Sequence, residues 1–95
     1  SQKKYVVANQ VLKSGCSIGA NVREAQNAES KLDFIHKLKV AIKEAEETEY
    51  WLMLCNQSAS YPDTADLIEQ VRGIIKILGK IISTTKKSLT LKGSN

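Results

Sequence analysis

Side chains that could carry out catalysis are few in this chain. Its 95 residues include one histidine, His36, two cysteines, Cys16 and Cys55, and no glycine-rich phosphate loop. A nucleophile, a general base and a group that orients the base need more partners than these three residues supply. The sequence therefore predicts that the protein is not an enzyme and that it binds no cofactor.

A metal site is the next possibility, because four glutamates fall between residues 44 and 49. Helical bundles that hold metals with carboxylates combine a Glu-x-x-His pair with further glutamates, and that pair is absent here. His36 has no cysteine at ligand spacing, which favours a packing or surface histidine. We therefore expect no metal site.

The two cysteines are predicted not to form a disulfide. In an antiparallel helical hairpin that turns near Glu29, they would lie about 13 and 26 residues from the turn, a mismatch of roughly 20 Å at 1.5 Å per residue. That separation is far beyond disulfide reach. We interpret Cys16 and Cys55 as buried small apolar residues in a reducing cytoplasm.

Composition favours helices over strands throughout the chain. Proline occurs once, at Pro62, and Ala, Leu, Ile, Glu and Lys are the dominant residues, which predicts an all-α fold in a single domain over residues 1–95. Charged residues interrupt every apolar stretch, so none reaches the roughly 20 consecutive apolar residues of a membrane span. The expected location is the cytoplasm.

The spacing of apolar residues and of capping residues divides the first part of the chain into three helical segments. A first helix is predicted to end at Ser14 and Gly15, and a short second helix to begin with Ser17 as its N-cap. Ser30, with Asp33 three positions later, approximates a capping box. It predicts a third helix that can run without glycine or proline to about residue 56.

The last helix is predicted to begin at Asp63 as its N-cap, and residues 83–95 are expected to fray. Apolar residues at alternating spacings of three and four mark the sides of these helices that pack against neighbours. The third helix has one seam with a second set beside it that recurs every seven residues, and the last helix has two seams: Ile35, Leu38, Ile42, Ala45 and Leu52; Phe34, Ala41, Thr48 and Cys55; Leu67, Val71, Ile74, Leu78 and Ile81; Ile68, Ile75 and Ile82. Two seams on one helix imply two packing partners.

Charge is segregated along the chain, although the net formal charge is only +4. Residues 1–43 hold eight Lys or Arg and three acids, residues 44–71 hold seven acids and no basic residue, and residues 72–95 hold six basic residues and no acid. If the last two long helices are antiparallel, the basic stretches lie side by side. The bundle would then have a basic end and an acidic end.

The basic end predicts binding to nucleic-acid phosphates without sequence readout, because several copies in one assembly would merge their lysines into one positive surface. The alternative is an ordinary solvated surface whose charges complement the helix dipoles. No DNA-binding motif and no aromatic stacking platform accompanies the lysines. The predicted contact residues are Lys31, Lys37, Lys39, Lys43, Lys76, Lys80, Lys86 and Lys87.

A polar network in the core or between subunits is a second candidate site. Asn21 and Glu24 are three residues apart and share one face of a helix. Glu47 or Glu49 could accept hydrogen bonds from Asn21 or Arg23 across a helix interface. The predicted members of the network are Ser17, Asn21, Glu24, Glu47 and Thr48.

The order of motifs in the middle of the chain resembles a known family. S-I-G-A-N-x-x-E-A is followed by E-S-K-x-D-F-I-H-K-L and then by K-E-A-x-E-T-x-Y-W-L. They resemble the bacterial four-helix bundle proteins encoded in intervening sequences of 23S ribosomal RNA genes, and the accessory variability determinant of diversity-generating retroelements looks like a relative. The matching residues are Ser17, Ile18, Ala20, Asn21, Glu24, Ala25, Ser30, Phe34, Leu38, Ala41, Glu47, Thr48 and Leu52.

The resemblance implies an all-α, antiparallel up-and-down helical bundle of the four-helix type. It also implies a homo-oligomeric ring, pentameric in the family, without enzymatic activity. The retroelement relative is a basic ring that binds nucleic acid and a reverse transcriptase, so the implied partners are RNA or DNA and a protein such as a reverse transcriptase. Family members begin with a further amphipathic helix, which we expect to be absent from this chain.

The predicted function is therefore that of a non-enzymatic, ring-forming scaffold that binds nucleic acid through its basic end. One alternative is a homo-oligomer that binds a protein partner and has no nucleic-acid role. A plain dimer, in which two sets of helices complete one another's cores, competes with the ring. A small regulatory protein that binds its partner through an open groove is a further class.

Overall fold

The computed structural model describes residues 2–57 and 63–93, with side chains over 6–57 and 63–90. It contains three α-helices: α1 Gln2–Gln26, α2 Lys31–Asn56 and α3 Ala65–Gly93. The described residues include no β-strand. The prediction of an all-α bundle is confirmed, and over the described residues the helices number three rather than the four of a complete four-helix bundle.

Helix α2 lies between the other two helices. Both α1 and α3 pack closely on α2, whereas over the residues that the structure describes the backbones of α1 and α3 do not come close to one another. Both pairs are antiparallel, because Ala25 near the end of α1 and Ile82 near the end of α3 share a core cluster with Ile35 near the start of α2. The chain is elongated, with extents of 59, 20 and 13 Å along its principal axes.

Two clusters of buried side chains hold the three helices together. The first consists of Ala25, Ile35, Leu38, Ala41, Leu78 and Ile82, and the second of Ile18, Ala45, Leu52, Ile68 and Val71. Each cluster draws residues from all three helices. Ala41 and Ala45 have no exposed surface, so the flanking helices approach α2 closely at these small residues. Burial of the bulkier members stabilises the fold by about 1.5–3 kcal/mol for each fully buried Leu, Ile or Val.

Hydrogen bonds outside the helix backbone fix both ends of the α2–α3 hairpin. Ser30 is the N-cap of α2, as predicted, and its Oγ accepts a hydrogen bond from the Asp33 backbone N–H at 3.0 Å. At the other end, the Thr64 N–H donates to Asn56 Oδ1 at 3.1 Å, and the Thr64 hydroxyl donates to the Leu52 carbonyl oxygen at 2.8 Å. These last two bonds tie the start of α3 to the end of α2.

The N-cap of α3 differs from the prediction by one residue. The Ile68 N–H donates to the Thr64 carbonyl oxygen at 3.0 Å, which gives Thr64 the cap position. Asp63 Oδ1 still accepts from the Ala65 N–H at 3.0 Å. The Thr64 hydroxyl is hydrogen-bonded to α2 and does not cap α3. The Asp63 carboxylate, one residue earlier, therefore accepts the hydrogen bond from the first turn of α3.

Helix α1 is continuous, although the sequence predicted a break at Ser14 and Gly15 and a new N-cap at Ser17. Gly15 has no positive φ and adopts ordinary helical geometry. A glycine inside a helix costs about 1 kcal/mol relative to alanine, which packing against a neighbouring helix can offset. Ser14 is buried, and Ser17 uses its carbonyl oxygen to accept from Asn21, so both residues belong to the helix interior.

Helix α3 extends through residues 83–93, where the sequence predicted fraying. Leu89 packs against the first core cluster, and the hydroxyls of Thr85 and Thr90 donate to backbone carbonyl oxygens one turn earlier. These contacts satisfy the threonines inside the helix and hold the segment beside α2. Residues 94 and 95 lie outside the described residues.

One apolar face of α3 remains uncovered. The sequence predicted two apolar seams on this helix, and Ile68, Val71, Leu78 and Ile82 are the residues that pack into the core. Four other large apolar residues are exposed by at least 38% of their surface, and we call them the α3 stripe: Leu67, Ile74, Ile77 and Ile81. The second packing partner that the two seams imply is therefore not supplied by the described residues.

We expect Leu38→Ala to lower the free energy of unfolding by about 2–5 kcal/mol, because it leaves a cavity where all three helices meet. Leu12→Ala makes the same chemical change at a side chain of α1 that is 66% exposed. It should change that free energy by less than about 0.5 kcal/mol. Urea denaturation followed by circular dichroism measures both values, and equal losses would contradict the packing.

The two thiols should differ in reactivity, because Cys16 is exposed whereas Cys55 is buried, and both are free. The prediction that both are buried holds only for Cys55. Burial raises the pKa of the Cys55 thiol above its ordinary value, which lowers its thiolate fraction near neutral pH. We expect iodoacetamide to alkylate Cys16 much faster than Cys55 in the native protein and both equally in denaturant, as measured by mass spectrometry. Faster native labelling of Cys55 would overturn this assignment.

Candidate nucleic-acid interface

Antiparallel packing sets the first half of α2 beside the second half of α3. The shared core cluster of Ile35, Leu38, Leu78 and Ile82 fixes this register. The structure therefore brings the predicted lysines of the two helices to the same end of the bundle, the basic end. Six of the eight are exposed there: Lys39, Lys43, Lys76, Lys80, Lys86 and Lys87.

The other two lysines join helices to one another. Lys31 Nζ donates to Ser88 Oγ at 2.6 Å, which links the start of α2 to the last turns of α3. Lys37 Nζ lies 3.1 Å from Glu24 Oε2 of α1. The hydrogen bond and the negative charge of Glu24 raise the pKa of Lys37 above its ordinary value. These two ammonium groups therefore add less to an anion-binding surface than the six exposed ones.

Two shallow depressions lie on α3 among the exposed lysines. One, of about 410 Å³, is lined by Ser83, Lys86, Lys87 and Thr90. The other, of about 340 Å³, is lined by Ile77, Lys80, Ile81, Thr84 and Thr85. Ammonium and hydroxyl groups are both donors that proteins use to bind phosphate oxygens. The first depression has these donors at its rim, and its surface is formed mainly by the aliphatic parts of the same side chains.

An ion pair between Glu49 and Arg72 links α2 to α3 in the acidic half of the bundle. Arg72 Nε donates to Glu49 Oε2. This hydrogen bond and the charge of Glu49 raise the pKa of Arg72 above its ordinary value. The sequence pattern predicted Asn21 or Arg23 as hydrogen-bond donors to Glu49 and did not predict Arg72 as its partner. The available signal was that Arg72 is the first basic residue after the acidic stretch and lies opposite Glu49 once the helices are antiparallel.

The predicted polar network is not assembled within the described part of one chain. Asn21 Nδ2 donates to the Ser17 carbonyl oxygen at 2.9 Å, and the Thr48 hydroxyl donates to the carbonyl oxygen one turn earlier at 2.8 Å. Both bonds stay inside a single helix. Glu24 is held by its ion pair with α2, and Glu47 is exposed. A role for these residues between subunits stays a prediction.

The remaining candidate residues over 6–57 and 63–90 are His36, the acidic residues and Trp51. His36 is exposed, and no group of three or more His, Cys, Asp or Glu in this part of the chain is placed to hold a metal ion. Trp51 Nε1 is buried without a hydrogen-bond partner, and its ring lies 5.4 Å from that of Tyr50 in an edge-on contact. None of the helices over the described residues has the length and apolar character needed to cross a bilayer.

Comparisons with known proteins find a matching protein family and similar solved structures. A family model described as "23S rRNA-intervening sequence protein" matches residues 1–80. A crystal structure of a protein with unknown function from the S23 ribosomal protein family of Bacteroides thetaiotaomicron VPI-5482 is 45% identical, with a TM-score of 0.79. That match covers 86% of this chain and 78% of the other. No curated protein matches the chain.

Proposed function

Because the chain belongs to the 23S rRNA-intervening sequence protein family, we propose that it is a non-enzymatic helical scaffold that binds nucleic acid without reading its sequence. Several copies form a homo-oligomeric ring in this proposal, and the backbone of RNA or DNA binds at the basic end. The family match and the surface charge support it together. The scaffold acts in the cytoplasm.

The observation that carries the proposal is the row of exposed lysines on α3. Lys86 and Lys87 line a depression together with the hydroxyl-bearing Ser83 and Thr90. No Asp or Glu occurs over residues 72–95, so no carboxylate on this half of the helix competes with phosphate for these donors. Phosphate contacts of this kind release condensed counterions, which makes them favourable and dependent on salt concentration.

Base recognition is not part of the proposal. Single-stranded bases are held by stacking on exposed aromatic side chains. Over residues 6–57 and 63–90, whose side chains are described, the exposed aromatic side chain is Tyr50, in the acidic half of α2. Phe34, at the basic end, packs against the core. Contacts at the basic end are therefore with phosphates, which every sequence presents equally.

Oligomerisation is supported by the α3 stripe. Covering such apolar side chains with another copy would stabilise the assembly by up to about 1.5–3 kcal/mol for each one fully buried. A ring, pentameric as the family resemblance implies, also repeats the basic end several times. Repetition raises the local positive potential and hence the affinity for a polyanion.

A second candidate function is a homo-oligomer that binds a protein partner, such as a reverse transcriptase, and has no nucleic-acid role. A depression of about 320 Å³ near the junction of α2 and α3 favours it. Its lining mixes apolar and charged groups, as protein interfaces do: Met53, Asn56, Gln57, Ala65, Ile68, Glu69 and Arg72.

Replacement of Lys80, Lys86 and Lys87 by Gln should weaken binding to a structured RNA and to a DNA duplex about equally. Each lost phosphate contact should also lower the log–log salt slope by roughly 0.7 to 0.9. Fluorescence anisotropy of labelled RNA and DNA across a salt series measures affinity and slope together.

The matched control replaces Lys3, Lys4 and Lys13 by Gln, which removes the same charge from the half of α1 that runs beside the acidic half of α2. Lys13 is exposed there, and the side chains of Lys3 and Lys4 lie outside the described residues. The control should keep nearly the wild-type affinity and slope. Equal losses in both variants would contradict binding at the basic end, and no wild-type binding at low salt would leave the protein-partner function.

The ring itself predicts a wild-type mass of several chains in sedimentation velocity at micromolar concentration. Ile77→Lys should lower that mass, because it places a charge in an apolar contact. Ser83→Lys adds the same charge to α3 outside the stripe and should leave the mass unchanged. A wild-type protein that sediments as a single chain would rule out the ring.

A further inference from the structure

The side of α2 that faces away from α1 and α3 carries a regular row of exposed residues. Most of its members recur at spacings of three and four, so they lie along one side of the helix. The row spans about 33 Å of helix at 1.5 Å per residue. We call it the α2 outer face: Leu32, His36, Lys39, Lys43, Glu46, Glu47, Tyr50 and Leu54.

When two copies of the α2 outer face lie antiparallel, the order of residues on one copy complements the order on the other. It begins with Leu32, which is 71% exposed, continues with lysines and then glutamates, and ends with Tyr50, which is 57% exposed, and Leu54. A second copy in the opposite direction therefore meets lysines with glutamates and apolar ends with apolar ends. Such a face suits a two-fold contact, in which one patch serves both partners.

The four charges at the centre of this face are available for such a contact. Lys43 and Glu47 are four residues apart, but Lys precedes Glu, which is the weaker order for a pair within one helix. Over the residues with described side chains, the ion pairs are Lys37 with Glu24 and Arg72 with Glu49. Over that part of the chain, the central lysines and glutamates of the α2 outer face therefore have no ion-pair partner.

We propose that two copies of this chain associate back to back, with the α2 outer faces antiparallel about a two-fold axis between residues 43 and 46. Lys43 of each copy then lies beside Glu46 of the other, and Lys39 reaches Glu47. The charges fix direction and register more than they add affinity. Burial of Leu32, Tyr50 and Leu54 at the two ends supplies the apolar contact.

This contact goes beyond the proposed ring, because it uses a side of the bundle that neither the core nor the α3 stripe occupies. It also overlaps the basic end. Lys39 and Lys43 belong to both surfaces, so back-to-back pairs bind nucleic acid through the lysines of α3. The α2 outer face therefore joins two copies through the lysines of α2 and leaves the lysines of α3 for nucleic acid.

A pair of charge-reversal variants tests the contact. The basic variant carries Glu46→Lys and Glu47→Lys, and the acidic variant carries Lys39→Glu and Lys43→Glu. Each variant alone sets like charges against each other, so its mass in sedimentation velocity should fall to half of the wild-type value. An equimolar mixture is complementary again and should regain the wild-type mass. All four positions are exposed, so circular dichroism should show unchanged helix content.

The control variant carries Glu29→Lys and Glu69→Lys, which adds the same charge outside the α2 outer face and should keep the wild-type mass. In addition, Ile77→Lys should reduce the assembly to pairs rather than single chains, which separates this contact from the ring. A basic variant that keeps the wild-type mass, a mixture that stays at half mass, or a wild-type protein that is a single chain would each overturn the proposal.

Discussion

Packing of two helices against one side of α2 depends on Ala41 and Ala45, which have no exposed surface. Larger side chains at these positions would force α1 and α3 outward, because a packed core accommodates extra atoms poorly. The same packing sets the lysines of α2 beside those of α3, although like charges repel. The positive surface is thus a consequence of apolar burial. Contacts such as Lys31 with Ser88 and Lys37 with Glu24 reduce the cost of that placement.

Sequence patterns predicted α2 better than α1, and the reason is physical. The seam residues Ile35, Leu38 and Leu52 are buried, and Ser30 caps the helix, because apolar period and capping chemistry act locally. The predicted break at Gly15 relied on an intrinsic preference of about 1 kcal/mol, which tertiary packing overrides. A single sequence does not show how strongly a neighbouring helix will pack, so the continuity of α1 could not be predicted.

The charge blocks predicted that the lysines of α2 and α3 lie at the same end of the bundle. They did not predict which charged side chains form ion pairs. Blocks of like charge on two antiparallel helices are enough to place Lys86 and Lys39 at one end. Pairing Arg72 with Glu49 requires the register of α2 against α3, which the sequence leaves open by several residues. Exposure of Cys16 likewise depends on which side of α1 faces α2. The family match supports the fold and leaves the chemistry of the basic end to experiment.

The backbones of α1 and α3 do not come close to one another over the described residues, and this affects how the chain folds. Each of these helices makes its close backbone approach to α2, so the described residues form two helical hairpins that share one helix. Contacts between helices adjacent in sequence close short loops and form quickly. Either hairpin can form first and present α2 to the remaining helix. Folding therefore has two available routes, and both core clusters are completed only when the third helix docks.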